Sequence, residues 1–305
     1  MDGETYDYGL DPDESFIPDD LDSIDASLPH IMTVLGPIAP GALGATNASA
    51  AIGGFVADQR FSVREAFLTE IGEAGFVGIA AFVASDSIGL PEDLAPLRWV
   101  AERSNLHFIY GYSPPGGLSF DEEVAALIDV ATNGLGESQS RPGFFAVSFD
   151  GLAAAMVARE AVGLPIVVAM TASEIDSLVT AAPDGLDGMI ARIPEQTPLE
   201  SLVSLAESGA FLLFEQVTGD PTLDQLLAET IAAVANAGYL ESLLLGYSPT
   251  TVPESVSYGV GSRWSYLIEQ FPLLVLEAGL DAPAVRSILI ENPNEAFVTH
   301  PPLNS

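Results

Sequence analysis

Eight short apolar runs, each followed by an amphipathic stretch, are the feature that most constrains the fold of this 305-residue chain. We predict strands near residues 43–49, 76–84, 107–113, 143–149, 165–170, 187–193, 210–216 and 242–248. We predict the helices that follow them near 62–74, 92–104, 120–133, 151–162, 173–181, 198–208, 222–237 and 263–278. Eight strand–helix units in about 250 residues match one (β/α)8 TIM barrel of the α/β class. A doubly wound open sheet is the alternative, and the lack of a G-x-G-x-x-G turn counts weakly against its dinucleotide-binding form.

Glycines mark the boundaries between several of these helices and the strands that follow. Gly75, Gly163, Gly209 and Gly238 each stand just before a predicted strand. Glycine adopts the left-handed conformation that closes a helix without steric penalty. We therefore expect each of the four to end the preceding helix.

The first 28 residues differ from the rest of the chain. They contain ten acidic residues and no basic residue. Such a composition predicts a disordered acidic tail over 1–28, followed by one barrel domain over 29–305. The alternative is that Tyr6 to Tyr8 or Ser15-Phe16-Ile17 forms a short motif that docks on a protein partner.

The charge of the chain excludes two classes of partner. Acidic residues number 43 and basic residues 9, all of them arginine, which gives a formal net charge of -34. Such a charge argues against binding to nucleic acid and to anionic membranes. It fits either a halophile-like protein in a salty cytoplasm or an acidic surface that binds a protein partner.

The chain has no cysteine, so disulfides, thiolate catalysis and sulfur-ligated metals are excluded. Its N-terminus lacks the basic and apolar regions of a secretory signal, and its apolar runs are too short and broken to span a membrane. We expect a cytoplasmic protein.

Several segments resemble the phosphotriesterase-like family of the amidohydrolase superfamily. Leu35-Gly-Pro-Ile38 followed by Leu43-Gly-Ala-Thr46 is similar to the approach to the family's first barrel strand. Further similar segments are 103–112, 142–147, 163–168 and 237–245 for later strands, and 263–271, 276–279 and Asn292-Pro293 for the closing helices. The resemblance implies an amidohydrolase-like barrel.

The resemblance also implies a two-metal site that generates a hydroxide nucleophile. The positions that carry its ligands in the family fall on Ser49 and Ala51 in strand one, Ala146 in strand four, Ala169 in strand five, on or beside Arg192 in strand six, and on Ser248 in strand eight. None of these side chains is a metal ligand of the family's kind. The three histidines, His30, His107 and His300, lie elsewhere. We therefore expect no metal, no other cofactor and no inherited catalytic residue.

Other sites are possible in principle. Asp86, Asp150, Glu174, Glu195 and Glu215 all fall at or after predicted strand ends, where they are either oxygen ligands for Mg²⁺ or Ca²⁺ or ordinary solvated charges. No G-x-S-x-G turn or serine–histidine pair supports a hydrolase triad. Gly53-Gly54 and Gly116-Gly117 are either phosphate-binding loops or simple turns.

The mouth of the barrel is where a ligand is expected. Arg192 either pairs with Glu215 from the neighbouring strand or binds an anionic ligand. The candidate pocket residues are Asn47, Ser49, Tyr112, Asp150, Arg192, Glu215 and Tyr247. The sequence thus favours a metal-free pseudoenzyme that acts by binding, as a scaffold, as a homo-oligomer or as a hetero-oligomeric partner. The alternative is a hydrolase of esters, lactones or amides with a site rebuilt on Arg192, Glu215 and Asp150.

Overall fold

The computed structural model describes residues 25, 27–52, 61–84, 94–182, 185–247 and 263–302. The predicted acidic tail and its two candidate motifs lie almost wholly outside these residues. Within them, eight parallel strands pair in chain order with helices between them, so the fold is a (β/α)8 TIM barrel, as predicted. No helix in the described part of the chain is long and apolar enough to cross a bilayer.

The barrel strands run from β3 to β10, and helices follow most of them. The strands are β3 (Thr46–Ala50), β4 (Ala81–Ala84), β5 (His107–Tyr112), β6 (Phe144–Ser148), β7 (Ile166–Ala169), β8 (Met189–Arg192), β9 (Phe211–Val217) and β10 (Leu243–Tyr247). The helices are α1 (Phe61–Phe76), α2 (Ala95–Ser104), α3 (Phe120–Asn133), α4 (Leu152–Val162), α5 (Ala172–Ala181), α6 (Leu199–Glu207), α7 (Pro221–Val234), α8 (Tyr266–Glu269), α9 (Phe271–Glu277), α10 (Ala282–Arg286) and α11 (Asn292–Ala296).

Several boundaries differ from the sequence prediction, and two of the differences change an element. Helix α1 runs through Gly75 and ends at Phe76, so the predicted early start of the second strand was wrong. The positive φ that follows this helix belongs to Gly78, at 115°. Gly163, Gly209 and Gly238 do take positive φ angles of 77°, 94° and 102°. The single helix predicted over 263–278 is divided into α8 and α9, with Pro272 in the first turn of α9.

A small sheet that the sequence did not predict lies outside the barrel ladder. Strand β1 (His30–Thr33) pairs antiparallel with both β2 (Gly36–Ile38) and β11 (Val298–Thr299). Its residues Ile31, Ile38 and Val298 belong to the same buried cluster as the inward-facing residues of the barrel. The segment that contains Leu35-Gly-Pro-Ile38 therefore helps to cover one end of the barrel before the first barrel strand begins.

The inside of the barrel is filled by side chains. One buried residue from each barrel strand belongs to a common inner cluster: Ala48, Val83, Ile109, Phe144, Val167, Ile190, Leu213 and Leu244. The residues that alternate with them, such as Phe82, Phe108 and Phe145, pack in a second cluster with the helices. The barrel is thus a packed core with space for a ligand only at its ends.

The barrel closes between β3 and β10 through a side chain. Among the described strands, the backbone ladder runs from β3 round to β10 without a ladder that joins these two. Asn47 bridges them: its Nδ2 donates to the Tyr247 carbonyl at 2.9 Å, and its Oδ1 accepts from the Tyr247 N–H at 2.9 Å. Gly246 permits the close approach, because a Cβ there would collide with Ser49. The Asn47 side-chain amide therefore makes the two hydrogen bonds that the backbone of a neighbouring strand would make in a ladder.

We expect Asn47→Ala to lower the free energy of unfolding by about 2–4 kcal/mol, because it removes two hydrogen bonds to buried backbone groups of Tyr247. Chemical denaturation measures the change. The control is Asn133→Ala on α3, whose exposed side chain bonds only to Asp129, at 2.7 Å. That change is expected to cost less than about 0.5 kcal/mol. Equal losses in the two variants would show that Asn47 does not close the barrel.

Candidate functional site

A three-residue polar cluster lies at the carboxyl ends of the barrel strands. Arg192 is the last residue of β8, and its Nε lies 2.6 Å from Oε2 of Glu215 on β9. Ser49 on β3 donates its hydroxyl hydrogen bond to the other carboxylate oxygen, Oε1. The ion pair proposed from the sequence is therefore present. Its side chains are 37% and 19% exposed, so it is accessible from solvent and is not a fully buried pair.

The strand alternation explains why these side chains meet. Ile190 and Leu213 belong to the inner cluster, so Arg192 and Glu215, two residues further along, also face the inside of the barrel. Ala48 is an inner residue too, and a register shift in β3 between Asn47 and Ala50 turns the next side chain, Ser49, to the same side.

Small side chains leave space beside the arginine. Ala169 is in register with Arg192, and Ser148 is in register with Ala169. Both are exposed although they follow inner-cluster residues on their strands. Ala146, two residues before Ser148, packs against the inner cluster. The mouth next to Arg192 is therefore open on the side of β6 and β7.

Three of the predicted pocket residues have other positions. Asn47 is completely buried and closes the barrel, so the expectation that it lines the mouth was wrong. Tyr247 and Tyr112 pack in the cluster that faces the helices. The Tyr247 ring centroid lies 6.3 Å from that of Trp264. Burial, with a smaller contribution from Asp129, raises the pKa of Tyr112. These two tyrosines do not join the Arg192 cluster.

The remaining candidate, Asp150, lies in the single helical turn Phe149–Gly151 directly after β6. It is exposed and forms no hydrogen bond or ion pair with another described residue. Of the seven predicted residues, the structure thus brings together Ser49, Arg192 and Glu215. The structure adds Ser148, which the sequence analysis missed. Ser148 is four residues after Phe144 on the same strand, and this even spacing predicts that both side chains face the inside of the barrel.

The side chains at the positions where the family resemblance implies metal ligands do not fit a divalent metal. Ser49, Ala146 and Ala169 offer at most one hydroxyl, and Arg192 adds a positive charge that opposes cation binding. Among the described residues, no group of three or more histidine, cysteine, aspartate or glutamate side chains is placed to hold a metal. Ser248, Asp86 and Gly53-Gly54 lie outside the described residues.

The other carboxylates and glycines proposed from the sequence have structural positions. Glu174 caps helix α5, because its Oε2 accepts from the Thr171 N–H at 2.7 Å. Glu195 is an exposed residue in the turn after β8. Gly116 and Gly117 form a turn before α3, where Gly117 has a φ of 87°. None of these residues contacts the Arg192 cluster through a hydrogen bond or ion pair in the described part of the chain.

All three histidines lie at the opposite end of the barrel. His107 is the first residue of β5, His30 lies in β1, and the His300 N–H donates to the Gly163 carbonyl, at 3.0 Å, just before β7. The Nδ1 of His30 lies 2.8 Å from the Leu28 carbonyl oxygen. Burial lowers the pKa of His107. The histidines therefore belong to the stabilising end of the barrel.

A cavity of about 380 Å³ also lies at this opposite end. Its lining includes Arg159, Asp187, Glu241, Glu295 and His300. Burial lowers the pKa of Arg159, and the nearby Asp187 partly offsets this effect. Most of its charged groups are exposed carboxylates at the rim. We place the candidate site at the mouth instead, where an ion pair is held in the barrel interior.

The fold and the residues at the mouth define the class of protein: a (β/α)8 barrel with a polar cluster at the carboxyl ends of its strands.

No protein-family model and no curated protein matches the chain. Among solved structures, it is similar to the crystal structure of a resiniferatoxin-binding protein from Rhodobacter sphaeroides, with a TM-score of 0.73 and 21% identity. The similarity covers 88% of this chain and 94% of the other, and at this identity it shows the fold alone.

We expect Glu215→Ala to lower the free energy of unfolding by about 1–2 kcal/mol, because it removes the hydrogen bonds that the carboxylate accepts from Arg192 and Ser49. Glu291→Ala is the control, since it removes an exposed pair with Arg286 at 3.5 Å. We expect that control to change stability by less than about 0.5 kcal/mol. Urea denaturation compares them, and an effect of Glu215→Ala no larger than that of the control would contradict the role of the pair.

The lowered pKa of His107 predicts a loss of stability in acid. As pH falls below the ordinary histidine pKa of about 6.5, the unfolded chain takes up a proton before the folded chain does. The free energy of unfolding therefore decreases through this window. His107→Gln removes this dependence, so its stability curve is expected to be flatter than the wild-type curve between about pH 7.5 and pH 5.5. Both proteins contain the same carboxylates, so any pH dependence from these groups is shared. Parallel stability curves for the wild type and His107→Gln would therefore contradict the prediction.

Proposed function

We propose that this chain is a phosphotriesterase-like barrel that works without a metal centre and binds a small molecule at its mouth. The observation that carries the proposal is the position of Arg192. In the resemblance to that family, this position at or beside the end of strand six holds a metal-binding histidine. Here it carries a guanidinium that is fixed by Glu215.

Electrostatics supports this proposal. Two unit charges about 4 Å apart interact by roughly 4 kcal/mol at the effective dielectric of a protein surface, and a divalent ion would feel about twice that repulsion from Arg192. Glu215 cancels much of this repulsion because its charge is opposite, but both of its oxygens already accept hydrogen bonds, from Arg192 and Ser49, so a metal ion would compete with these donors for the carboxylate. A polar, accessible mouth with no suitable metal ligands among the described residues is better suited to binding than to metal-assisted hydrolysis.

The structural comparison gives a second, weaker support. The similar structure belongs to a protein named for binding resiniferatoxin. We carry over only the general activity, binding of an organic molecule by a barrel of this fold. The ligand of that protein is not transferred to this chain.

The proposal extends to the domain organisation, the location and the partners of the protein. We place one barrel domain over 29–305 after an acidic tail, in a cytoplasmic and high-salt setting that suits the excess of acidic residues. A protein partner or a second copy has a candidate surface on the outer helices. Leu199 on α6 and Leu223 and Leu226 on α7 are 42%, 56% and 64% exposed, and these two helices are neighbours.

One observation favours the alternative, a hydrolase of esters, lactones or amides. The Ser49 hydroxyl donates to a carboxylate, which is an arrangement that can accept the proton of an attacking hydroxyl group. In this alternative Ser49 is the nucleophile, Glu215 the base and Arg192 the group that holds the carboxylate in place. Asp150 contributes no contact to it in the described structure.

Metal content and turnover together distinguish the two functions. We expect the purified protein to contain far less than one equivalent of metal by mass spectrometry. We expect no hydrolysis of lactones or organophosphate esters above the uncatalysed rate, with or without added Zn²⁺ or Mn²⁺. Stoichiometric metal with turnover would overturn the proposal.

The Glu215→Ala variant controls for the rebuilt site. Metal-independent turnover by the wild-type protein that is lost in this variant would establish the alternative hydrolase. Turnover that is equal in the two proteins indicates a contaminating enzyme and leaves the binding proposal in place.

A further inference from the structure

The guanidinium of Arg192 has terminal donors that take no part in its hydrogen bond with Glu215. Glu215 engages Nε, at 2.6 Å. Among the described residues, Nη1 and Nη2 have no hydrogen-bond partner. The two terminal nitrogens of a guanidinium form a planar fork that matches a carboxylate or a phosphate. The pair with Glu215 fixes the orientation of this fork, and Ser49 in turn holds the carboxylate of Glu215.

Space and a further donor lie next to this fork. The interior row formed by Ser148, Ala169 and Arg192 runs across three neighbouring strands in register. Ser148 and Ala169 are exposed, so the row is open to solvent. A ligand oxygen held by Arg192 would have the small Ala169 side chain beside it and the Ser148 hydroxyl one strand further on.

We infer that the molecule bound at the mouth carries a carboxylate, which Arg192 holds end-on through Nη1 and Nη2. This inference rests on the proposed binding function and names the chemical class of the ligand. Charge selects a carboxylate over a phosphate. Arg192 is the cation of the cluster and shares its charge with Glu215, so a ligand with a single negative charge leaves less uncompensated charge than a dianion.

The experiment is calorimetric titration with acetate, butyrate and benzoate, with their neutral amides, and with inorganic phosphate. We expect the carboxylates to bind more tightly than the matched amides and than phosphate. Arg192→Met is expected to weaken carboxylate binding by about tenfold to a hundredfold, the value of a hydrogen bond to a charged group. The control is Arg103→Met, since Arg103 lies on α2 at the other end of the barrel and stacks on Trp99 at 4.4 Å.

A second variant protects the test against misfolding. Ala169→Leu fills the space beside Arg192 and leaves both residues of the ion pair unsubstituted, and it is expected to abolish carboxylate binding while circular dichroism stays native. Equal affinity for amides and carboxylates, or tighter binding of phosphate, would overturn this inference but leave the binding function standing. If Arg192→Met and Arg103→Met bind carboxylates equally, the inference also fails. Failure of the binding function itself would show separately, as bound metal and turnover.

Discussion

The two hydrogen bonds between Asn47 and the backbone of Tyr247 are the constraint on which the rest of the barrel depends. A closed barrel has no edge strand, and here the last gap between β3 and β10 is bridged by a side-chain amide. Register shifts occur in both strands at this seam, between Asn47 and Ala50 and between Leu245 and Tyr247. The shift in β3 also turns Ser49 inward. The irregular part of β3 at the seam where the barrel closes therefore also positions one residue of the candidate site.

The two ends of the barrel have different physical roles. At one end, β1, β2 and β11 cover the inner cluster, and the three histidines lie among them or at the strand starts nearby. At the other end, the inner rows finish in Ser148, Ala169, Arg192 and Glu215, which are small or polar and accessible. This division is general for barrels of this type, in which binding residues follow the strands and stability residues precede them. The positions of the histidines are therefore informative about stability and not about chemistry.

Much of the fold was predictable because its signal is periodic. Helix α3 was predicted at its observed bounds, 120–133, since its capping box and apolar spacing are both local. The small sheet was missed because β2 and β11 are three and two residues long, too short for alternation to show. In the site, the Arg192–Glu215 pair was predictable from two adjacent strand ends. The role of Asn47 was not, since no local pattern tells whether an amide reaches a backbone 200 residues away.

The charge at the mouth bears on the proposed absence of a metal centre. A ring of inward histidines and carboxylates is stable only when a cation compensates its charge and satisfies its lone pairs. A mouth lined by alanine and serine needs no such compensation, and Arg192 with Glu215 forms a pair that is neutral by itself. The surface of a chain with 43 acidic residues repels an anionic ligand, and the terminal N–H groups of Arg192 provide local hydrogen-bond donors that offset part of this repulsion. In the proposed function, the same guanidinium disfavours a bound metal ion and offers hydrogen-bond donors to an anionic ligand.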